Sequence, residues 1–422
     1  MKAVLVCLIA SLFSVSAHSQ TPSELATRAE QLIRHGDKTG AVKLLAQAAL
    51  ASPASAEAED RIGFLLAVLG QKADAVAHFQ KSSLIDATYA APHYHLGVLL
   101  WQSGDREASV AEMQTAAKLS PAVFDYRYHL GASYFQLHKY AEAIAEFKAA
   151  LALDASNAQA WQDLGDALES SGDLLAAKDA YEHTLARDPQ NYTARDEYAY
   201  VLIETRQADR GIEESRKVLA HNPSDTSALM NVGYAYLKKG DFRLAEQAYR
   251  QVIAVDAKLA AAHYDLGIAL KMQDKIEAAQ QEFQQAVRLE PSLAQASYSL
   301  GVTYWQLGDF PAAMQQMRAA IAAMPEYAEA HYMLGILLKQ SGDLDGALSE
   351  LRESTRLDAS TPGPYNTIGQ ILRIKGDKQG SEEAFATGAR LKREKESQLS
   401  DTLEQGMRGG TAPKPIAGAS RQ

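Results

Sequence analysis

Residues 158–191 read AQAWQDLGDALESSGDLLAAKDAYEHTLARDPQN. An apolar pattern of helical period runs through Leu164-Gly165, breaks at Gly172-Asp173, and resumes through Ala177 and Tyr181 before Pro189. Glycine can take the left-handed conformation that ends a helix, and aspartate then caps the start of the next. The stretch predicts two antiparallel helices joined by a tight turn. Proline, lacking an N–H, suits the opening of the helix that follows.

Moving outward in steps of 34 residues, the glycine recurs at 63, 97, 131, 165, 233, 267, 301, 335 and 369, with Ala199 at the missing step. An apolar residue precedes each, from Ile62 and Leu96 to Leu334 and Ile368. Twelve residues later comes Ala75, Ala143, Ala177, Ala245, Ala279, Ala313 or Ala347, and four further on a bulky residue such as Phe79, Phe147, Tyr181, Tyr249 or Phe283. Gly-Asp pairs mark the turns at 104, 172, 240, 308, 342 and 376. The small residues let paired helices approach, and the bulky one is expected to fill the space between units. A single hairpin cannot bury its apolar face, so neighbours must stack. Eleven units result, beginning near 22, 56, 90, 124, 158, 192, 226, 260, 294, 328 and 362.

The pattern of Trp161, Leu164-Gly165, Ala177, Tyr181 and Pro189 resembles the tetratricopeptide repeat (TPR) family, over Pro22 to Lys395. The resemblance implies an all-α, right-handed superhelical solenoid whose first helices line a concave groove. It also implies a scaffold that holds segments of partner proteins in that groove.

Composition agrees with a folded, exported chain. Hydrophobic residues make up 47% and charged residues 22%, enough apolar character for a core. A net charge of −10 argues against nucleic acid, which demands a basic stripe to displace counterions. Lys2, the apolar run Ala3 to Phe13 and the small-x-small triplet Val15-Ser16-Ala17 predict a secretory signal over 1–17, cleaved after Ala17. An uncleaved N-terminal tether is the alternative. Cys7, the only cysteine, leaves with the signal, so no disulfide or thiol chemistry is expected of the mature chain. Residues 396–422 are expected to extend the last helix and end, after Gly406, in an aperiodic, disordered tail.

The unit 192–225 departs most from the pattern: Ala199 replaces glycine, Gly211 alanine and Ser215 the aromatic, and no Gly-Asp pair marks its turn. It reads either as a soft joint or as a unit refilled by Tyr198, Tyr200 and Val218.

In the resemblance, the second, fifth, ninth and twelfth positions of each first helix point into the groove. The fifth gives Tyr94, Tyr128, Tyr264, Tyr298 and Tyr332; the ninth gives Tyr200 and Tyr234; the twelfth gives Trp101, Phe135 and Trp305. Such side chains dominate protein-binding hot spots, although each tyrosine has packing between units as its alternative role. Asp163, Asp166, Glu169, Asp196, Glu197 and Glu204 make the middle of this face acidic, whereas Lys238, Lys271, Lys339 and Arg373 make the later part basic. A bound segment of matching polarity, basic in part, is expected. Asn231 with Lys238 and Lys271 is only a fragment of the family's carboxylate clamp.

No catalytic motif, cofactor fingerprint or metal-ligand spacing is present. His93, His263 and His331 recur at the fourth position. His95, His129, Asp163 and Glu197 share the sixth, but side chains on adjacent units stand about 10 Å apart, too far to converge on one ion. The sequence therefore predicts a non-catalytic adaptor, periplasmic or secreted, that binds protein or peptide segments. The alternatives are a self-associating assembly factor of an export or polysaccharide-secretion complex and, lower in rank, a non-catalytic subunit of an enzyme complex.

Overall fold

The computed structural model describes residues 21–51 and 54–409, which form twenty-two α-helices and no strand. The helices alternate as first and second members of eleven hairpins, from Pro22–Arg34 with Lys38–Leu50 to Pro362–Ile374 with Lys378–Gly409. The expected signal segment 1–17 lies outside the described residues, as does the sequence beyond Gly409. Among the described residues no helix is long and apolar enough to cross a membrane. Two compact units divide between Val201 and Leu202, inside the helix Tyr192–Glu204.

The turns share one conformation. Gly104, at φ 90°, ends Ala91–Ser103, and the Asp105 carboxylate accepts the Ala108 N–H to cap Arg106–Leu119. Asp173, Asp309 and Asp343 cap their helices in the same way. Where the glycine is missing, His138, Arg206 and Asp274 take the left-handed conformation, at φ 56°, 64° and 61°. That geometry costs an ordinary residue roughly 1–2 kcal/mol, so packing of the hairpin imposes the turn there. Arg206 supplies the turn that sequence alone left unmarked in the unit at 192.

The repeated glycine sets how closely paired helices lie. A methyl group added at Gly267 would sit 2.5 Å from Phe283 Cε1, and one at Gly165 would sit 2.6 Å from Tyr181 Cε1. Phe79, Phe147, Tyr181, Tyr249 and Phe283 are all fully buried. Each ring thus covers the glycine of its own hairpin, a role within the unit that the sequence had assigned to the space between units. Met113, Met317 and Leu351 cover Gly97, Gly301 and Gly335 instead. In the unit at 192 the corresponding residues, Ala199 and Ser215, are each fully buried. Gly211, Ile212, Ser215 and Val218 form a buried stripe on Ala208–His221, a continuous helix that packs on Thr226–Lys239.

A second, polar fastening recurs between the fourth and twenty-third positions. Nδ1 of His93, His263 and His331 donates to Glu112, Glu282 and Glu350 at 2.6, 2.7 and 2.6 Å. The unit at 56 reverses the pair, with His78 donating to Glu59 at 2.7 Å, and the unit at 124 uses Arg127 and Glu146 at 2.8 Å. These histidines clip the first helix of a hairpin to the second. In the unit at 294 the same two positions hold Ser297 and Gln316, whose Oγ and Oε1 are buried without a hydrogen-bond partner.

Candidate protein-binding surfaces

Within each unit the first helices of successive hairpins touch one another. Ala56–Val68 meets Ala91–Ser103, Phe124–Gln136 meets Ala158–Ser170, and Ala260–Lys271 meets Thr226–Lys239. No two second helices make a comparable contact among the described residues. The first helices therefore form the inner layer of each unit, and their remaining exposed side chains are the ones a partner would meet there.

In the first unit many fifth-position groups are already engaged. Each reaches the sixth position of the next hairpin. Asp60 accepts from His95 Nδ1 at 2.7 Å, the Tyr94 hydroxyl lies 3.1 Å from His129 Nδ1, and the Tyr128 hydroxyl donates to Asp163 at 2.7 Å. The Tyr94 ring also stands 4.8 Å from that of Tyr126. Burial pushes the Tyr94 phenol up to about 12. Tyr94 and Tyr128 are rungs between hairpins, and their aromatic faces are only partly open.

Around Tyr181 the inner layer is acidic. Its hydroxyl lies 2.7 Å from Asp166 Oδ1 and 3.0 Å from Glu169 Oε2. Burial raises the Asp166 carboxyl to about 6; the Tyr181 hydrogen bond opposes the rise, and nearby Asp163 and Glu197 add to it. Burial also raises Asp163, although Tyr128 and Gln159 both donate to it. Asp196 and Tyr200, on Tyr192–Glu204, are partly buried. Trp101 and Phe135 sit at the far end of their helices. The Arg106 guanidinium lies 4.0 Å over the Trp101 ring, and Tyr140 flanks Phe135 at 5.9 Å.

In the second unit the Tyr234 hydroxyl donates to Glu204, and Lys238 lies 5.0 Å over the Tyr234 ring and 3.2 Å from the same carboxylate. Tyr264 packs 5.9 Å from Phe283, and burial pushes its phenol up. The Tyr298 ring lies 5.1 Å from that of Tyr327, tilted by 44°. The Tyr332 hydroxyl lies close against Gly363 of the next hairpin. Trp305 differs from all of these, being 39% exposed at the end of Ala294–Gln306.

Sequence reading missed Tyr126 and Tyr327, which sit outside the four inward positions, and it missed the histidine clips. The clips had a signal: a histidine or arginine and a glutamate 19 residues apart in unit after unit. Among the described residues no group of three or more His, Cys, Asp or Glu is arranged to hold a metal ion.

Models of the tetratricopeptide repeat match residues 90–123, 158–191 and 226–259, and further models of the same repeat match 131–172, 264–324 and 304–364. Together they take in more than half of the sequence. This chain belongs to the tetratricopeptide repeat family. Among solved structures the repeats are similar to MamA, at 25% identity over 39% of this chain and 97% of that one, with a TM-score of 0.37. YrrB, described as a TPR protein with an unusual peptide-binding site, is 21% identical over 44% of this chain and 95% of that one, with a TM-score of 0.37. Yeast Tom70 is 13% identical over 90% of this chain and 93% of that one, with a TM-score of 0.48. No curated protein matches the sequence.

Proposed function

We propose that this tetratricopeptide repeat protein is a non-catalytic adaptor of the cell envelope, holding segments of partner proteins against its inner helices. The observation that carries the reading is Trp305. It is a large side chain on the inner layer, well exposed, and the hairpin does not need it for its core. Large aromatic residues left open in this way are the usual anchors of protein–protein contacts. Trp101 occupies the same twelfth position in the first unit, partly exposed beneath Arg106. The acidic surroundings of Asp163, Asp166 and Glu169 favour a segment that is basic where it crosses the first unit. The envelope location rests on Lys2, the apolar run to Phe13 and Val15-Ser16-Ala17.

The test is affinity capture from an envelope extract, comparing the mature chain with a Trp101→Ala, Trp305→Ala variant of unchanged circular dichroism. A partner held by the first and lost by the second supports the reading. Capture of the same proteins by both refutes the inner-layer site. N-terminal sequencing of the chain from a secreting host tests the location, with His18 expected as first residue.

A further inference from the structure

We infer that the inner layer of the second unit is a docking strip for an acidic protein segment carrying an apolar side chain among its carboxylates. The inference rests on the scaffold reading and adds the chemistry of the partner.

The twelfth positions of four consecutive hairpins are Lys271, Trp305, Lys339 and Arg373. Beside them the ninth positions Ile268, Val302 and Ile336, all partly buried, lay an apolar floor. A shallow cavity opens there between Ile336, Lys339, Gln340 and Thr367. Trp305, 39% exposed, adds open apolar surface to the row.

The cations of this row lack acidic partners among the described residues. Lys271 is half-buried, and desolvation alone pushes its ammonium down. Lys339 donates to the neutral carboxamide of Gln370, and the Arg373 guanidinium rests 5.8 Å over the Phe385 ring. Lysines at the turns behave differently: Lys239, Lys275 and Lys375 pair with Asp209, Glu246 and Asp345. These three turn lysines are neutralised while the row is left bare, in a protein whose net charge is −10. From Thr226 to Ile374 the first helices contain only Asp265 and Glu329 as carboxylates, against Lys238, Lys239, Lys271, Lys339 and Arg373. A half-buried cation without a counter-charge is costly, and a docked carboxylate removes that cost.

The repeat also sets the spacing. Adjacent twelfth positions stand about 10 Å apart, the width of packed helices, and an extended chain covers that in about three residues. The matching segment is Glu-x-x-Phe-x-x-Glu-x-x-Glu or its reverse.

Fluorescence anisotropy with the full chain tests this, using labelled decapeptides of that pattern with serine at each x, in both directions. Controls carry lysine for glutamate or serine for phenylalanine. One acidic, phenylalanine-bearing peptide is expected to bind about tenfold more tightly than its lysine counterpart, and Lys271→Glu or Lys339→Glu to weaken it about tenfold. Trp305→Ala should weaken the phenylalanine peptide and leave the serine version unchanged. Polyglutamate binding as tightly as the best peptide, or indifference to Trp305→Ala, reduces the strip to general attraction for polyanions and overturns the inference. If no acidic peptide binds while the tryptophan variant still loses its captured partner, this inference fails and the adaptor reading stands. If capture also survives the tryptophan changes, the adaptor reading falls with it.

Discussion

Replacing Gly267 by alanine tests whether contact between glycine and ring sets the width of a hairpin. The new methyl would lie 2.5, 2.7 and 3.0 Å from Phe283 Cε1, Cδ1 and Cζ. Carbon atoms pack best at about 3.5–4.0 Å, so ring or helix must retreat by about 1 Å. Phe283 is fully buried in a cluster with Ala279, Leu266 and Leu270, which leaves the ring no open side. Overpacking of this kind costs about 1–3 kcal/mol. Alanine recovers up to about 1 kcal/mol through its better helix propensity, leaving a net loss of about 1–2 kcal/mol. In a Phe283→Ala background the obstacle is gone and only the propensity gain remains. The two substitutions should therefore couple by about 2–3 kcal/mol in a double-mutant cycle. Repeat arrays open piecewise, so the assay is native-state hydrogen exchange of Ala260–Lys271 and Ile276–Leu289 rather than a single melting curve. Equal effects of Gly267→Ala in both backgrounds, or stabilisation of the otherwise native chain, would refute the argument.

Ser215→Ala removes a buried hydroxyl that has no partner and should stabilise Ala208–His221 by about 1 kcal/mol, read as slower amide exchange in that helix. Exchange also decides the soft joint: the buried stripe through Gly211 predicts that Ala208–His221 is protected as well as Phe242–Val255. Tyr128→Phe leaves partly buried Asp163 one donor short and should cost about 1–2 kcal/mol, read by native-state amide exchange of Phe124–Gln136 and Ala158–Ser170, while partner capture stays unchanged. Asp166 predicts a pH dependence. Unfolded, its carboxyl ionises near 3.8, but in the fold only near 6, so it weighs against folding increasingly as pH rises from about 4 to 6. Asp166→Asn should accordingly raise the amide-exchange protection of Ala158–Ser170 at pH 7.5 and have no such effect at pH 4; a gain of equal size at both would disprove the assignment.

The helical hairpins were legible because their determinants are local and repeat. Gly165, Gly172-Asp173, Ala177 and Tyr181 each act within one unit, and a period of 34 residues copies the instruction along the chain. The inner surface was harder to read. Tyr94 and Tyr128 satisfy both the criterion for a hot spot and the criterion for a rung. Only the position of a side chain on the next hairpin, His129 or Asp163, separates the two roles. Trp305 and the bare row beside it were visible as residue types, but their lack of partners was not. Pairing depends on which charges the turn brings near, as Lys275 with Glu246 shows against Lys271 with none.

The two polar fastenings have different reach. The clip between Arg127 and Glu146 begins and ends inside one unit, whereas the rung from Tyr128 to Asp163 spans two. Cutting residues 124–157 out of the gene would therefore take both halves of that clip away together and orphan neither. The same cut would join Tyr94 to the unit that holds Asp163, placing a tyrosine hydroxyl opposite a carboxylate, the pairing that Tyr128 makes now. A chain built this way can be shortened by whole units, its seams healing with chemistry it already uses. Its length is thus free to follow the length of whatever it holds.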